Sequence, residues 1–130
     1  MKQKMMKLLS LSIFLVVFLT GCTSAETGEE PAAGNPAFVD HVTIEMQAEH
    51  HYVKVEGNYP DSCTRVSDVG QEVEGSTFKI SLLVDRPEDL VCAQMMSPFN
   101  VNILLEVGGL MPGEYTVDVN GVVGSFTLGP

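Results

Sequence analysis

Tryptophan is absent, and the other aromatics are few: six phenylalanines and three tyrosines in 130 residues. A favoured side chain for stacking on sugars is therefore missing. Positive charge is also scarce. Only seven residues are Lys or Arg, three of them before Gly21, so the rest of the chain sets four basic residues against seventeen acidic ones, a net of −13. A surface of that sign is repelled by nucleic acid and by anionic lipid head groups, so no nucleic-acid partner is expected. Catalytic groupings are missing too. There is no Ser-His-Asp spacing, no Gly-rich phosphate loop after a strand and no pair of acids on a helix. The chain reads as a non-enzyme without a cofactor. Its one long apolar run, Leu8 to Leu19, is broken by Ser10 and Ser12. It falls short of the ~20 residues a membrane-crossing helix needs.

What precedes and follows that run is informative. Lys2, Lys4 and Lys7 stand before it, and a basic start followed by a short apolar stretch reads as a secretory signal. The run ends in Leu19-Thr20-Gly21-Cys22, which resembles the lipobox of bacterial lipoproteins. The resemblance implies that residues 1–21 are a signal peptide and that Cys22 becomes the N-terminus, carrying lipid through its sulfur. The product is then held on the extracytoplasmic face of the cell membrane or the outer membrane, since several acyl chains anchor stably. The stretch from Thr23 to Pro36 is rich in Gly, Pro, Ala and Glu and has no apolar periodicity. It cannot bury enough surface to offset its conformational entropy, so residues 22–37 read as a flexible tether and 38–130 as the folded domain.

Of three cysteines, Cys63 and Cys92 remain once Cys22 is set aside. In an extracytoplasmic chain an even pair is most simply a disulfide. Closing a loop of about 30 residues is worth roughly 3.5 kcal/mol in the chain-entropy model. The alternative is a reactive or metal-binding thiol pair, although the spacing matches no zinc or redox motif.

From Phe38 onward apolar residues recur with a period of two, the mark of half-buried strands. Val42, Ile44 and Met46 form one such run, Val53 and Val55 a second, and Phe78, Ile80, Leu82 and Val84 a third. Phe99, Val101, Ile103, Leu105 and Val107 form another. A strand is expected from Cys63 through Val66, with Gly70 marking a bulge or a break before Val73. Arg86 to Pro98 interrupts the pattern. Its early Pro87 with Glu88 and Asp89 predicts a short turn of helix crossing between sheets. The last hairpin is the firmest element. Asn120-Gly121 is the strongest signal for a two-residue type I′ turn, so Val119 faces Val122, and Tyr115 and Val117 share a face with Gly124, Phe126 and Leu128. About seven short strands without an amphipathic helix to cover them predict an all-β fold. The expected form is an antiparallel β-sandwich, immunoglobulin-like in architecture, though without the core Trp and in-strand cysteines of that fold.

Three stretches add a second resemblance: Gly57 to Thr64, Cys92-Ala93-Gln94 with Pro98-Phe99, and Gly109 to Val117 running into Val119-Asn120-Gly121. Together they look like a group of uncharacterised secreted bacterial β-domains, often on lipoproteins. The resemblance spans roughly residues 39 to 128. It supports the fold and the disulfide and implies no activity.

Two function classes follow. The first is a membrane-anchored, non-enzymatic module that binds a protein or envelope component through loops or a sheet edge. Its candidate loops are Tyr59–Ser62, Pro87–Pro98 and Gly108–Gly113, with Tyr59, Asp61 and Met95 as contact residues. The second is a periplasmic or surface metal-binding protein. His50 and His51, flanked by Glu49 with His41 upstream, chelate together only if they lie in a turn, because neighbours on a strand point apart. Met95, Met96 and Met111 are thioethers of the kind Cu(I) prefers; on loops they are more often gap fillers. Asp61, Glu88 and Asp89 offer oxygen to Ca²⁺ without any recognised spacing.

Overall fold

The alternating pattern becomes two stacked sheets. The structure, a computed structural model, describes residues 34–130. The expected signal peptide, Cys22 with its expected lipid, and residues 22–33 of the expected tether lie outside the described residues. Eight strands follow in order: β1 (Asn35–Pro36), β2 (Phe38–Gln47), β3 (His50–Tyr59), β4 (Arg65–Glu74), β5 (Thr77–Asp85), β6 (Ser97–Leu104), β7 (Gly113–Val119) and β8 (Val122–Leu128). One sheet has the order β2-β3-β6, and the other joins β4, β5, β7 and β8 with β1 added against β5. The described residues are therefore an all-β sandwich. No helix occurs among them, so none is long and apolar enough to cross a membrane.

The apolar residues read from the period of two supply the core. Val53 and Val55 of β3, Phe78, Ile80 and Leu82 of β5, and Val117 and Val119 of β7 are buried, together with Phe99 and Ile103 of β6. Gly124 of β8 lets the sheets close. A Cβ there would lie 2.7 Å from Cδ1 of Ile44 on β2. Gly57 is tighter still, because its Cβ would run into the carbonyl oxygen of Phe38 and come within 2.6 Å of the Phe99 ring. A flexible side chain can yield to an added methyl, but a backbone carbonyl cannot, so Gly57 is the more stringent position.

Several expectations need correction. The pairing is not wholly antiparallel: β5 and β7 run parallel from Thr77↔Thr116 to Ile80↔Val119. The chain leaves β5 for the other sheet, forms β6, and returns in the same direction. The segment from Arg86 to Met96 contains no helix, only a turn at Glu88–Asp89 and otherwise irregular chain. Cys92 is bonded to Cys63, and Ala93 pairs with Ser62, which holds that stretch against the neighbouring loop. Nor does Gly70 break its strand. β4 runs through it, paired with Ser81, and the register shifts at Ser67 instead. A Cβ on Gly70 would approach the Ser81 hydroxyl to 2.5 Å, so the glycine serves a close cross-strand contact. The first hairpin bends at Ala48-Glu49, whose φ values of 47° and 71° are left-handed. Such values are unfavourable for residues with a Cβ, and neither residue advertises a turn.

The last hairpin has the register its turn demands, Val119↔Val122, Val117↔Gly124 and Tyr115↔Phe126, with Asn120 and Gly121 both at positive φ. Asn120 does more than turn the chain. β4 occupies one edge of β5, so β7 and β1 must share the other, β7 against Thr77–Ile80 and β1 against Leu83–Val84. The Asn120 amide fills the gap between them. Its Oδ1 accepts from Leu82 N at 3.1 Å, and its Nδ2 donates to Leu82 O at 2.8 Å and to Ala37 O at 3.1 Å. The side chain thus replaces a missing peptide rung. It fastens Asn35–Ala37, within the stretch expected to be tether, onto β5.

Candidate functional site

The loops sort to opposite ends of the sandwich. β3 and β6 pair from Tyr52↔Leu104 to Tyr59↔Ser97. Tyr59, the loop after it and the segment before Ser97 therefore share one end, while His50, His51 and the segment after Leu104 share the other. Eight strand residues separate the ends by about 25 Å.

This separation dismantles the metal reading. Met95 and Met96 lie at one end, and His50, His51 and Met111 lie toward the other. The two histidines begin β3 rather than occupying the turn, so they point to opposite faces. His50 is exposed, whereas the His51 ring lies 5.0 Å from the Phe126 ring, its buried Nδ1 without a hydrogen-bond partner among the described residues. Asp61, Cys63 and Cys92 bring ligand-type atoms within 4.8 Å of one another, but the two sulfurs are bonded to each other.

The end carrying Tyr59 is built by cross-links. The Cys63–Cys92 disulfide spans Cα atoms 5.6 Å apart. Beside it, Ser62 N donates to Ala93 O at 3.1 Å and Ala93 N donates to the Ser62 hydroxyl at 2.9 Å. Asp61 sits beneath. Only 4% exposed, it accepts from the backbone N–H groups of Cys63 and Thr64, each at 2.8 Å, and its other oxygen lies 3.5 Å from Arg86 Nε. Tyr59 stacks on Phe99 at 4.8 Å with the Arg65 guanidinium 5.6 Å from its ring centre. Tyr59 and Asp61 thus hold the loops in place, and of the three expected contact residues Met95 alone is presented to solvent, at 62% exposure.

Two surfaces result. One is a cleft of ≈ 520 Å³ with Val84, Asp61 and Thr64 among its lining, Pro36 and Pro60 beside them, and Phe38 and Arg86 exposed. The other is the braced loop, on which Leu90, Val91, Met95 and Met96 are all exposed. The sequence flagged the cysteines and Met95 but missed Phe38 and Arg86. Only the closing of β1 and β2 against the 60–64 loop brings these two together.

Burial alone pushes the Asp61 carboxyl up. The N–H groups of Cys63 and Thr64, the Thr64 side chain and Arg86 outweigh it and hold the group below its ordinary value. The folded chain therefore binds this proton more weakly than the unfolded chain. The resulting stabilisation is complete above the ordinary carboxylate range, near ~4, and is lost as pH falls through the lower folded value. Unfolding followed from about pH 6 to about pH 3 should show Asp61→Asn with a shallower acid loss than the parent chain. Equal slopes would mean that Asp61 does not contribute to the acid sensitivity.

Comparison with known proteins agrees with the architecture. An uncharacterised 10.2 kDa protein in the HgiCIIM 5′ region of Herpetosiphon aurantiacus is 41% identical over 76 residues, covering 58% of this chain and 80% of that protein. Proteins in the HgiBIM and HgiEIM 5′ regions of the same organism are also 41% identical over 76 residues, with 92% of each covered. No solved structure matches. Residues 53–128, from β3 through β8 and including both disulfide cysteines, match the ORF11 beta-sandwich domain, and the chain belongs to that family.

Proposed function

We propose that this protein is a non-enzymatic binding module, lipid-anchored through Cys22 on the extracytoplasmic side of a membrane, and that the braced loop is its contact surface. The observation that carries the reading is the exposure of Leu90, Val91, Met95 and Met96 on a seven-residue segment held by a disulfide and two hydrogen bonds between Ala93 and Ser62. Clustered exposed apolar side chains mark interaction sites in soluble domains. A loop ordered beforehand loses less entropy when it binds. The acidic surroundings favour a protein partner with an apolar patch and a neutral or basic rim.

Tyr59 and Asp61 are unsuitable probes of contact because their removal loosens the loops themselves. The test replaces Leu90, Val91, Met95 and Met96 together by Ser in the full chain, followed by photo-crosslinking in the native envelope. The expected result is loss of a discrete crosslinked species with little change in thermal unfolding. An unchanged crosslinking pattern removes the loop from the function.

A further inference from the structure

Every strand edge presents unpaired N–H and C=O groups, and among the described residues four of the five edge strands are blunted, β1 by being only two residues long and containing Pro36. β2 carries Asp40, His41 and Glu45, and its register shifts between Val39 and His41. β4 carries Arg65, Asp68, Glu72 and Glu74 and has a register shift of its own. β6 contains Pro98, which has no N–H, and the Gln71 side chain donates to Leu104 O and accepts from Glu106 N at its far end. Charges, bulges, prolines and side-chain covers are the usual devices against edge-to-edge pairing. β8 has none of them. Its sequence Val-Val-Gly-Ser-Phe-Thr-Leu has no charge and no proline, and its register with β7 is unbroken.

The turn determines which groups are open. In a two-residue hairpin the flanking pair Val119↔Val122 exchanges hydrogen bonds, so Gly124, Phe126 and Leu128 also bond toward β7. The N–H groups of Thr116 and Asn120 point the other way, to Ser76 O and Ile80 O beside β5, as that alternation requires. The backbone groups of Val123, Ser125 and Thr127 therefore face outward, with no partner strand among the described residues. The side chains of all three are exposed, that of Val123 to 60%.

We infer that β8 is a self-association edge, pairing antiparallel with β8 of a second copy about a two-fold axis at Ser125. Three observations select this occupant. The open positions are symmetric about Ser125, so one register, Ser125 opposite Ser125 of the partner subunit and Val123 opposite Thr127 of the partner subunit, uses every open group on both strands. The exposed Val123 then gains a β-branched cross-strand neighbour. Charge permits the approach of two acidic chains at this edge. On the outer face Asp118 lies beside Val123 and Glu114 beside Thr127, so the paired rows run acid, neutral, neutral, acid. The carboxylates are three strand spacings apart, about 14 Å and beyond the ~8 Å screening length of physiological salt. The inference is independent of the loop reading, since β8 and the Leu90–Met96 segment are separate surfaces.

The register supplies its own test. A hydrogen-bonded antiparallel pair has Cα atoms about 5.5 Å apart, within the range a disulfide spans. Ser125→Cys in the full chain in its own envelope should give a reducible homodimer with the Cys63–Cys92 bond intact. Co-expressed Val123→Cys and Thr127→Cys chains should give a heterodimer. Asn102→Cys on the β6 edge should give none. Adding Thr127→Lys to Ser125→Cys should abolish the dimer. The inference is overturned if both cysteine designs stay monomeric, if the dimer survives Thr127→Lys, or if Ser125→Cys joins a different protein.

Discussion

Replacing Asn120 by Gly should cost about 3 kcal/mol, although the substitution suits the turn. Gly adopts the left-handed φ of 49° at least as readily as Asn, so turn chemistry alone predicts little change. The loss comes from the amide. Leu82 N and Ala37 O are left without partners in a part-buried gap, and Leu82 O retains only its bond from Ala37 N. An unsatisfied buried group costs roughly 1–3 kcal/mol. For a domain of this size, 3 kcal/mol lowers the melting temperature by roughly 15 °C. Asn120→Asp should be worse, because it turns a carboxylate oxygen toward two carbonyls. Calorimetry of the two variants checks this. An Asn120→Gly chain within about 0.5 kcal/mol of the parent would falsify the rung assigned to the amide.

Opening the Cys63–Cys92 bond should have an effect of similar size by a different route. Cys63→Ser with Cys92→Ser removes a constraint spanning 29 residues of sequence, worth roughly 3.5 kcal/mol by chain entropy. The folded sandwich should survive, since the strands do not depend on the bond. The Leu90–Met96 loop should loosen first, left with the two Ser62–Ala93 bonds. Denaturant titration with and without reductant measures the global loss. Hydrogen exchange at Val91 and Ala93 measures the local one. A reduced chain that unfolds at the same denaturant concentration would show that the bond is not a stabilising constraint.

Much of the fold was legible because its cause is local. A period of two identifies strands, and Asn-Gly dictates both a turn and the register of β7 with β8. The cysteine pair was legible by parity. What escaped depends on partners far along the chain. Asn35–Pro36 has no strand character of its own; it is a strand because half of one β5 edge is left vacant. The parallel pairing of β5 with β7 depends on which sheet β6 joins. The Asp61 carboxylate looked like an exposed loop acid until the fold buried it beneath the disulfide. At Ala48-Glu49 the strands on either side force a turn that the residues themselves do not favour. The metal candidates failed for a related reason, since sequence proximity says nothing about which end of a sandwich a loop occupies.

The divided edge of β5 also orders events in time. β1 is the first described strand to be synthesised, yet its fastening to Asn120 reaches across 83 positions of sequence. Closing so long a span costs chain entropy before any contact returns it. The rungs of Asn35–Ala37 on β5 can form earlier, but the bond from Asn120 that fastens them waits for the final hairpin. A chain stopped short of Asn120 keeps a bare stretch of β5 open to pairing with other strands. In the exported state proposed above, the same delay leaves the leading end of the domain unlatched until the whole of it is across.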